Sequence, residues 1–192
     1  MADIIHKHFI IHKPYGYLSQ FINNKKRKKK LLGDLYSFPN NAMAVGRLDV
    51  KSEGLLLLTT DGFLSHTICS SKVEKEYYVQ VDGVIDKAAI EALNKGVEIG
   101  VEGKRYMTKP SKTSILVEKP ELEDRWMKIR DERHGPTSWI SITINEGKFR
   151  QVRKMTSAVG FPTLRLIRVR IGKIELKQLK AGSVIPVENL SF

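Results

Sequence analysis

The sequence predicts an α+β fold, a mixed and mostly antiparallel sheet flanked by helices. Three observations point there. Short apolar and β-branched runs recur along the chain and alternate with helix-patterned segments and turn signals. Trp139–Ile144 alternates cleanly, with Ile140, Ile142 and Ile144 on one face and Ser141 and Thr143 on the other, as a half-buried strand does. Soon after it, Lys148–Val159 carries Phe149, Val152, Thr156 and Val159 at helical spacing, with Gly160 as a C-terminal stop.

The elements follow in order. His8–Lys13 is the first strand, stopped by Pro14 and the Tyr15-Gly16 turn signal. Lys25–Lys30 is six consecutive basic residues, a solvated loop or a phosphate-gripping arm. Leu31–Phe38 suits a short helix. Asn41–Val45 and Leu55–Thr60 have the character of buried strands, with Gly46–Gly54 as a polar loop between them. Asp61 is placed to cap a helix over Gly62–Cys69. Lys75–Val81, with Tyr77, Tyr78, Val79 and Val81, is a strand. Asp86 caps a helix over Lys87–Asn94 that ends near Gly96. Ser111–Val117 is a weaker strand, and Glu118–Thr137, with mixed charges, Pro120, Gly135 and Pro136, is a long loop. Thr163–Ile171 is a strand whose pattern slips. Leu164 and Leu166 face one way and Ile167, Val169 and Ile171 the other, which a bulge or a strong twist near Leu166–Ile167 accounts for.

At 192 residues the chain suits a single domain spanning 1–192, or two small lobes. Lys and Arg number 33 against 21 Asp and Glu, a net charge of +12, and the 41% hydrophobic content excludes a disordered basic tail. Such a surface draws polyanions, nucleic acid first and anionic membrane second. Cys69 is the only cysteine, which excludes an intramolecular disulfide and a thiolate metal cluster and fits a reducing compartment. No apolar run reaches signal-peptide or membrane-span length. A cytoplasmic protein with no membrane partner is expected.

The motifs that carry chemistry are few. Asp49–Gly54 keeps the glycine of a calcium loop, but Lys51 stands at the third ligand position and Thr60 at the twelfth. His6 and His8 alternate without a partner cysteine or acid cluster, and there is no phosphate-cradling glycine loop. Neither metal nor cofactor is expected. Asp49 lies in a glycine-bounded loop between Arg47 and Lys51, where composition alone favours a structural role. In Glu146–Met155, Arg150, Arg153 and Lys154 fall at i, i+3 and i+4, a crowding of like charge that weakens a helix unless an anion offsets it. From Gly147 to Arg170 there are seven basic residues and no acidic one, the pattern of an RNA-backbone track.

Four ordered segments add up to a family. GRLDVKSEGLLLLTTDG (46–62) resembles the aspartate-bearing motif of pseudouridine synthases, in the small-subunit-type rRNA branch. KEYYV (75–79) is similar to that family's tyrosine motif. EGKFRQVRKM (146–155) and VGFPTLRLIRVRIG (159–172) resemble its two C-terminal motifs, in the same order. HKPYGYLSQF, YYVQVDG and GPTSWISITINEG are similar to members that act on the large ribosomal subunit. Thr60 and Phe149 stand where Asn is common. Most relatives in this branch begin with a small S4-like RNA-binding domain; here the first strand starts almost at once, so none is expected.

The resemblance implies the pseudouridine synthase catalytic fold with an active-site cleft between two lobes. It implies isomerisation of uridine to pseudouridine in 23S ribosomal RNA by a monomer, with the target base flipped from its stack and no small-molecule cofactor. Asp49 is then the catalytic carboxylate and Arg153 its basic partner. Tyr77 would stack on the uracil, Leu166 would line the apolar wall, and Arg47 would replace the flipped base or hold its phosphate. Arg150, Gln151, Lys154, Arg165 and Arg168 are the further candidate RNA contacts. The alternative is a catalytically silent RNA-binding or ribosome-assembly protein on the same fold. An RNA glycosidase would need a second carboxylate, for which Glu53 and Glu146 are the motif-embedded candidates.

Overall fold

The computed structural model describes residues 5–22, 29–70, 73–129 and 132–191. In chain order the elements are β1 (His8–Lys13), β2 (Met43–Val45), β3 (Glu53–Thr59), α1 (Gly62–Ser70), β4 (Lys75–Asp82), α2 (Lys87–Lys95), β5 (Glu98–Val101), β6 (Lys104–Met107), β7 (Lys112–Leu116), β8 (Thr137–Ile144), α3 (Gln151–Ala158), β9 (Thr163–Ile171), β10 (Ile174–Glu175) and β11 (Val184–Val187). They form an α+β fold with antiparallel pairing between the strands described below. Two compact units divide the chain, Met1–Val73 with Arg168–Phe192, and Glu74–Ile167.

In the first unit β3 is the organising strand. Four consecutive leucines cannot alternate between core and water, and all seven β3 residues are buried. β1 pairs along β3 from His8 opposite Thr59 to Lys13 opposite Gly54, β11 pairs with the other edge of β1, and β2 also pairs with β3. Helix α1 packs on β2 and β3. Its start is capped as expected, the Asp61 carboxylate accepting the Leu64 N–H at 3.0 Å. His6 and His8 share hydrogen bonds with the Thr60 and Thr59 hydroxyls.

The helix expected over Leu31–Phe38 is only a 3-10 turn, Leu32–Asp34, with the Asp34 carboxylate accepting the Leu31 N–H at 2.8 Å. Two forces end it. Tyr36 and Phe38 turn into a ring cluster with Phe9 and Phe21, and Pro39 disfavours helical backbone at Phe38.

In the second unit β8 lies between β4 and β7. Period-two alternation holds, with Tyr77, Val79 and Val81 buried on β4 and Ile140, Ile142 and Ile144 buried on β8. Helix α2 packs against β7. The Asp86 carboxylate caps it, accepting the Ala89 N–H at 2.7 Å. Gly96 ends it with φ +100°, and a Cβ there would lie 2.4 Å from the Thr108 carbonyl oxygen, so glycine is required. Residues 97–110, unassigned from sequence, hold the β5–β6 hairpin, tied by the Val97 N–H to Thr108 Oγ1 at 2.9 Å.

One expectation near the C-terminal motifs is corrected. Helix α3 starts at Gln151 rather than Lys148, because Arg150 has a left-handed backbone, φ +54°. Phe149 therefore lies outside the helix, 67% exposed, and the buried face is Gln151, Val152, Met155 and Thr156. β9 runs unbroken, and Arg165, Leu166, Ile167 and Arg168 are all buried. Four consecutive buried residues mark a stretch covered on both faces, where strict alternation is not required.

Candidate active site

Asp49 is half-buried in the loop from β2 to β3. The segment that follows β1 holds this loop. Lys13, the last residue of β1, shares the inward parity of Phe9 and Ile11 and is wholly buried. Its Nζ donates to the Pro14 carbonyl at 2.9 Å and the Tyr17 carbonyl at 2.8 Å, which shapes the turn between them. From that turn the Gly16 N–H donates to the Val50 carbonyl at 2.7 Å. Ser19 then reaches Leu48, its hydroxyl donating to the carbonyl at 2.9 Å and accepting the N–H at 3.0 Å. The Ser52 N–H closes on the Asp49 carbonyl at 2.9 Å. The neighbours of Asp49 on both sides are therefore pinned by main-chain bonds.

Three charged groups act on Lys13: Glu53 and Asp49 as anions and Arg168 as a cation. Burial drives the Lys13 ammonium down to about 7; Glu53 and Asp49 oppose that shift and Arg168 adds to it. Arg168 is 3% exposed, with Nε donating to the Leu55 carbonyl at 2.7 Å. Arg47 is exposed.

The remaining sequence-derived residues lie in the second unit. Tyr77 is buried on β4 opposite Ile142, whereas Tyr78 takes the other face and is half-exposed. Leu166 is buried on β9. Arg153, half-exposed on α3, donates from Nη1 to the Thr163 carbonyl at 3.3 Å.

Glu146 is the centre of a second knot. Its carboxylate accepts the Tyr106 hydroxyl at 2.6 Å, the Lys109 N–H at 3.0 Å and the Gln151 side-chain amide. The Gln151 carbonyl oxygen in turn accepts the Lys148 N–H at 2.9 Å. Lys154 donates to the Gly100 carbonyl at 2.6 Å, so both Gln151 and Lys154 fasten α3 to the β5–β6 hairpin. Burial raises the Glu146 carboxyl, but the donors from Tyr106, Lys109 and Gln151 outweigh it and leave it below its ordinary value. A carboxylate held charged in this way is ill suited to be a general acid, which weakens the glycosidase alternative.

The cationic run is not one exposed track. Arg165 is 4% exposed and donates from Nη2 to the Glu123 carbonyl at 2.8 Å. Arg168 is likewise buried and donates to a main-chain carbonyl, while Lys148 is exposed and Arg150 and Lys154 are half-exposed. Of the Lys25–Lys30 run, residues 25–28 lie outside the described residues; Lys30 Nζ stands 5.4 Å from the Tyr17 ring centroid. Sequence reasoning missed Lys13, Ser19 and Gly16. Lys13 left one signal, a lysine at the core parity of its strand; Ser19 left none.

The family model described as RNA pseudouridylate synthase matches residues 7–158, and the chain belongs to that family. The match takes in the Asp49 loop, Tyr77 and Arg153. Among curated proteins, the chain is 44% identical to ribosomal large subunit pseudouridine synthase E of Vibrio parahaemolyticus serotype O3:K6 (strain RIMD 2210633), over 92% of this chain and 71% of that one. It is 41% identical to the protein of the same name from Xanthomonas axonopodis pv. citri (strain 306), covering 88% of each. Among solved structures it is similar to a pseudouridylate synthase crystal structure with a TM-score of 0.73 and 28% identity, over 95% of this chain and 70% of that one.

Proposed function

We propose that this chain isomerises uridine to pseudouridine in large-subunit ribosomal RNA, with Asp49 as the catalytic carboxylate. The family match through residues 7–158, with relatives named large-subunit synthases at 44% and 41% identity, carries the reading. A stacked uridine cannot react in place, so it is flipped out of the RNA. The N-glycosidic bond then breaks, the base turns while held, and a carbon–carbon bond forms. The atoms of substrate and product are the same, so nothing is consumed.

On this reading each residue has a role. Asp49 acts as the carboxylate, and Arg153, the match to the family's basic residue, is the cation that favours its charged form. Tyr77 stacks on the uracil and Leu166 lines the apolar wall. Arg47 replaces the flipped base or holds its phosphate. Lys148, Arg150 and Lys154 meet the RNA backbone, and Gln151, Arg165 and Arg168 act from inside the protein by holding main chain in place. The relatives are bacterial, and the protein works in the cytoplasm as a monomer.

The test is tritium release from 5-tritiated uridine in large-subunit rRNA. Asp49→Asn should abolish release while leaving the protein folded and RNA affinity largely intact, and Arg153→Met should fall almost as far. Near-normal release from Asp49→Asn would remove Asp49 from the role.

A further inference from the structure

We infer that Ser19 is a positioning residue for Asp49, its single hydroxyl setting the main chain of Leu48 and thereby the aim of the carboxylate. The inference rests on the reading of Asp49 as the catalytic group. Ser19 is 6% exposed, and its Oγ both donates to the Leu48 carbonyl and accepts the Leu48 N–H. A hydroxyl is suited to this because it carries a donor and acceptor lone pairs on one atom.

The consequence is local and geometric. The two bonds hold the peptide planes on either side of Leu48, and the second of those planes leads directly into the Asp49 Cα. The Ser52 N–H holds the plane after Asp49 through the Asp49 carbonyl, and the Gly16 N–H holds the next through Val50. Four consecutive planes are thus fixed across the loop, and both Asp49 dihedrals lie between fixed planes. Leu48 adds a side-chain anchor, 6% exposed. Ser19 controls two of the four planes, and no bond within the loop itself duplicates its pair. Without it the plane before Asp49 is free to tilt, and the carboxylate moves with it.

The experiment compares Ser19→Ala, Ser19→Thr and Asp49→Asn. Single-turnover rate at saturating rRNA, RNA affinity and folded fraction are measured for each at one temperature. Ser19→Ala should lose roughly 10–100-fold in rate per folded enzyme, the scale of a misplacement near 1 Å, with RNA affinity unchanged. Ser19→Thr keeps the hydroxyl and should return to within about threefold of wild type. A wild-type rate in Ser19→Ala overturns the inference, as does a loss that follows the unfolded fraction or one that Ser19→Thr shares. If Ser19→Ala does not fold, Ser19→Cys takes its place: its weak sulfur donor and acceptor should give a smaller loss, and a wild-type rate there overturns the inference. The two failures are separable. An active Asp49→Asn sinks the reading of the site and the inference with it; an inactive Asp49→Asn beside a fully active Ser19→Ala sinks Ser19 alone.

Discussion

Replacing Lys13 by methionine isolates one buried charge through the pH dependence of stability. Burial lowers the Lys13 ammonium from 10.5 to about 7 in the folded protein. Between those values the unfolded chain binds a proton that the folded chain does not. Below about pH 7 both states are protonated and the full penalty of the buried cation applies. Stability then rises with pH through the window and levels off above 10.5, where neither state is protonated. The shift corresponds to a penalty of about 5 kcal/mol at the acid end, and the slope within the window is about 1.4 kcal/mol per pH unit.

Lys13→Met removes that slope. It also strips the donors from the Pro14 and Tyr17 carbonyls, a cost of about 1–3 kcal/mol for each group left unsatisfied. A neutral amine still donates, so this second cost does not change with pH and enters only as an offset. Urea unfolding of both proteins at two pH values separates the two contributions, with equal m-values as the check. Moving from pH 8 to pH 9.5, wild type should gain about 2 kcal/mol relative to the variant. A difference that stays constant would mean that Lys13 has the same affinity for its proton folded and unfolded. The argument for a water-starved lysine beneath the Asp49 loop would then be wrong.

Two further outcomes test other parts of the structure. Glu146→Gln should speed hydrogen exchange at the Lys109 amide and flatten stability against pH. The wild-type contribution of Glu146 is present above its unfolded value near 4.5 and is lost as pH falls through the depressed folded value; unchanged exchange would show the knot to be unimportant. RNA binding should weaken with salt by about 0.7–0.9 in log K for each log unit of salt and each neutralised phosphate, and Ser/Gly replacement of Lys25–Lys30 should flatten that slope with turnover at saturating RNA intact. An identical slope would make the run a solvated loop.

What the sequence made legible is what is local. Strand β8 carries its own alternation, and Asp61 and Asp86 sit one residue before the helices they cap. The errors arose where distant residues decide. Leu31–Phe38 has an acceptable helix composition, but Phe9 and Phe21 draw Tyr36 and Phe38 into a ring cluster. The β5–β6 hairpin has strands of four residues with Glu98, Gly100, Lys104, Arg105 and Met107 exposed, too short and wet to show a period. The start of α3 is set by the bonds linking Glu146, Gln151 and Lys148, which no helical repeat encodes.

The site divides along the same line. Asp49, Tyr77 and Arg153 are legible only as motif positions, since composition alone gives a loop aspartate no distinction. A count of cations in sequence cannot separate those that face water from those folded inside. Arg165 and Arg168 are both buried, and each donates to a main-chain carbonyl there. Lys13 is the instructive case. A lysine at the parity of Phe9 and Ile11 breaks the binary pattern of β1, and such a break is expected where a strand end serves a site rather than the core. It is tolerated because the carbonyls it binds and the anions Asp49 and Glu53 offset part of its burial. The residues that hold the Asp49 loop thus lie mostly in the segment from Lys13 to Ser19, some thirty positions upstream, where only the fold brings them to bear.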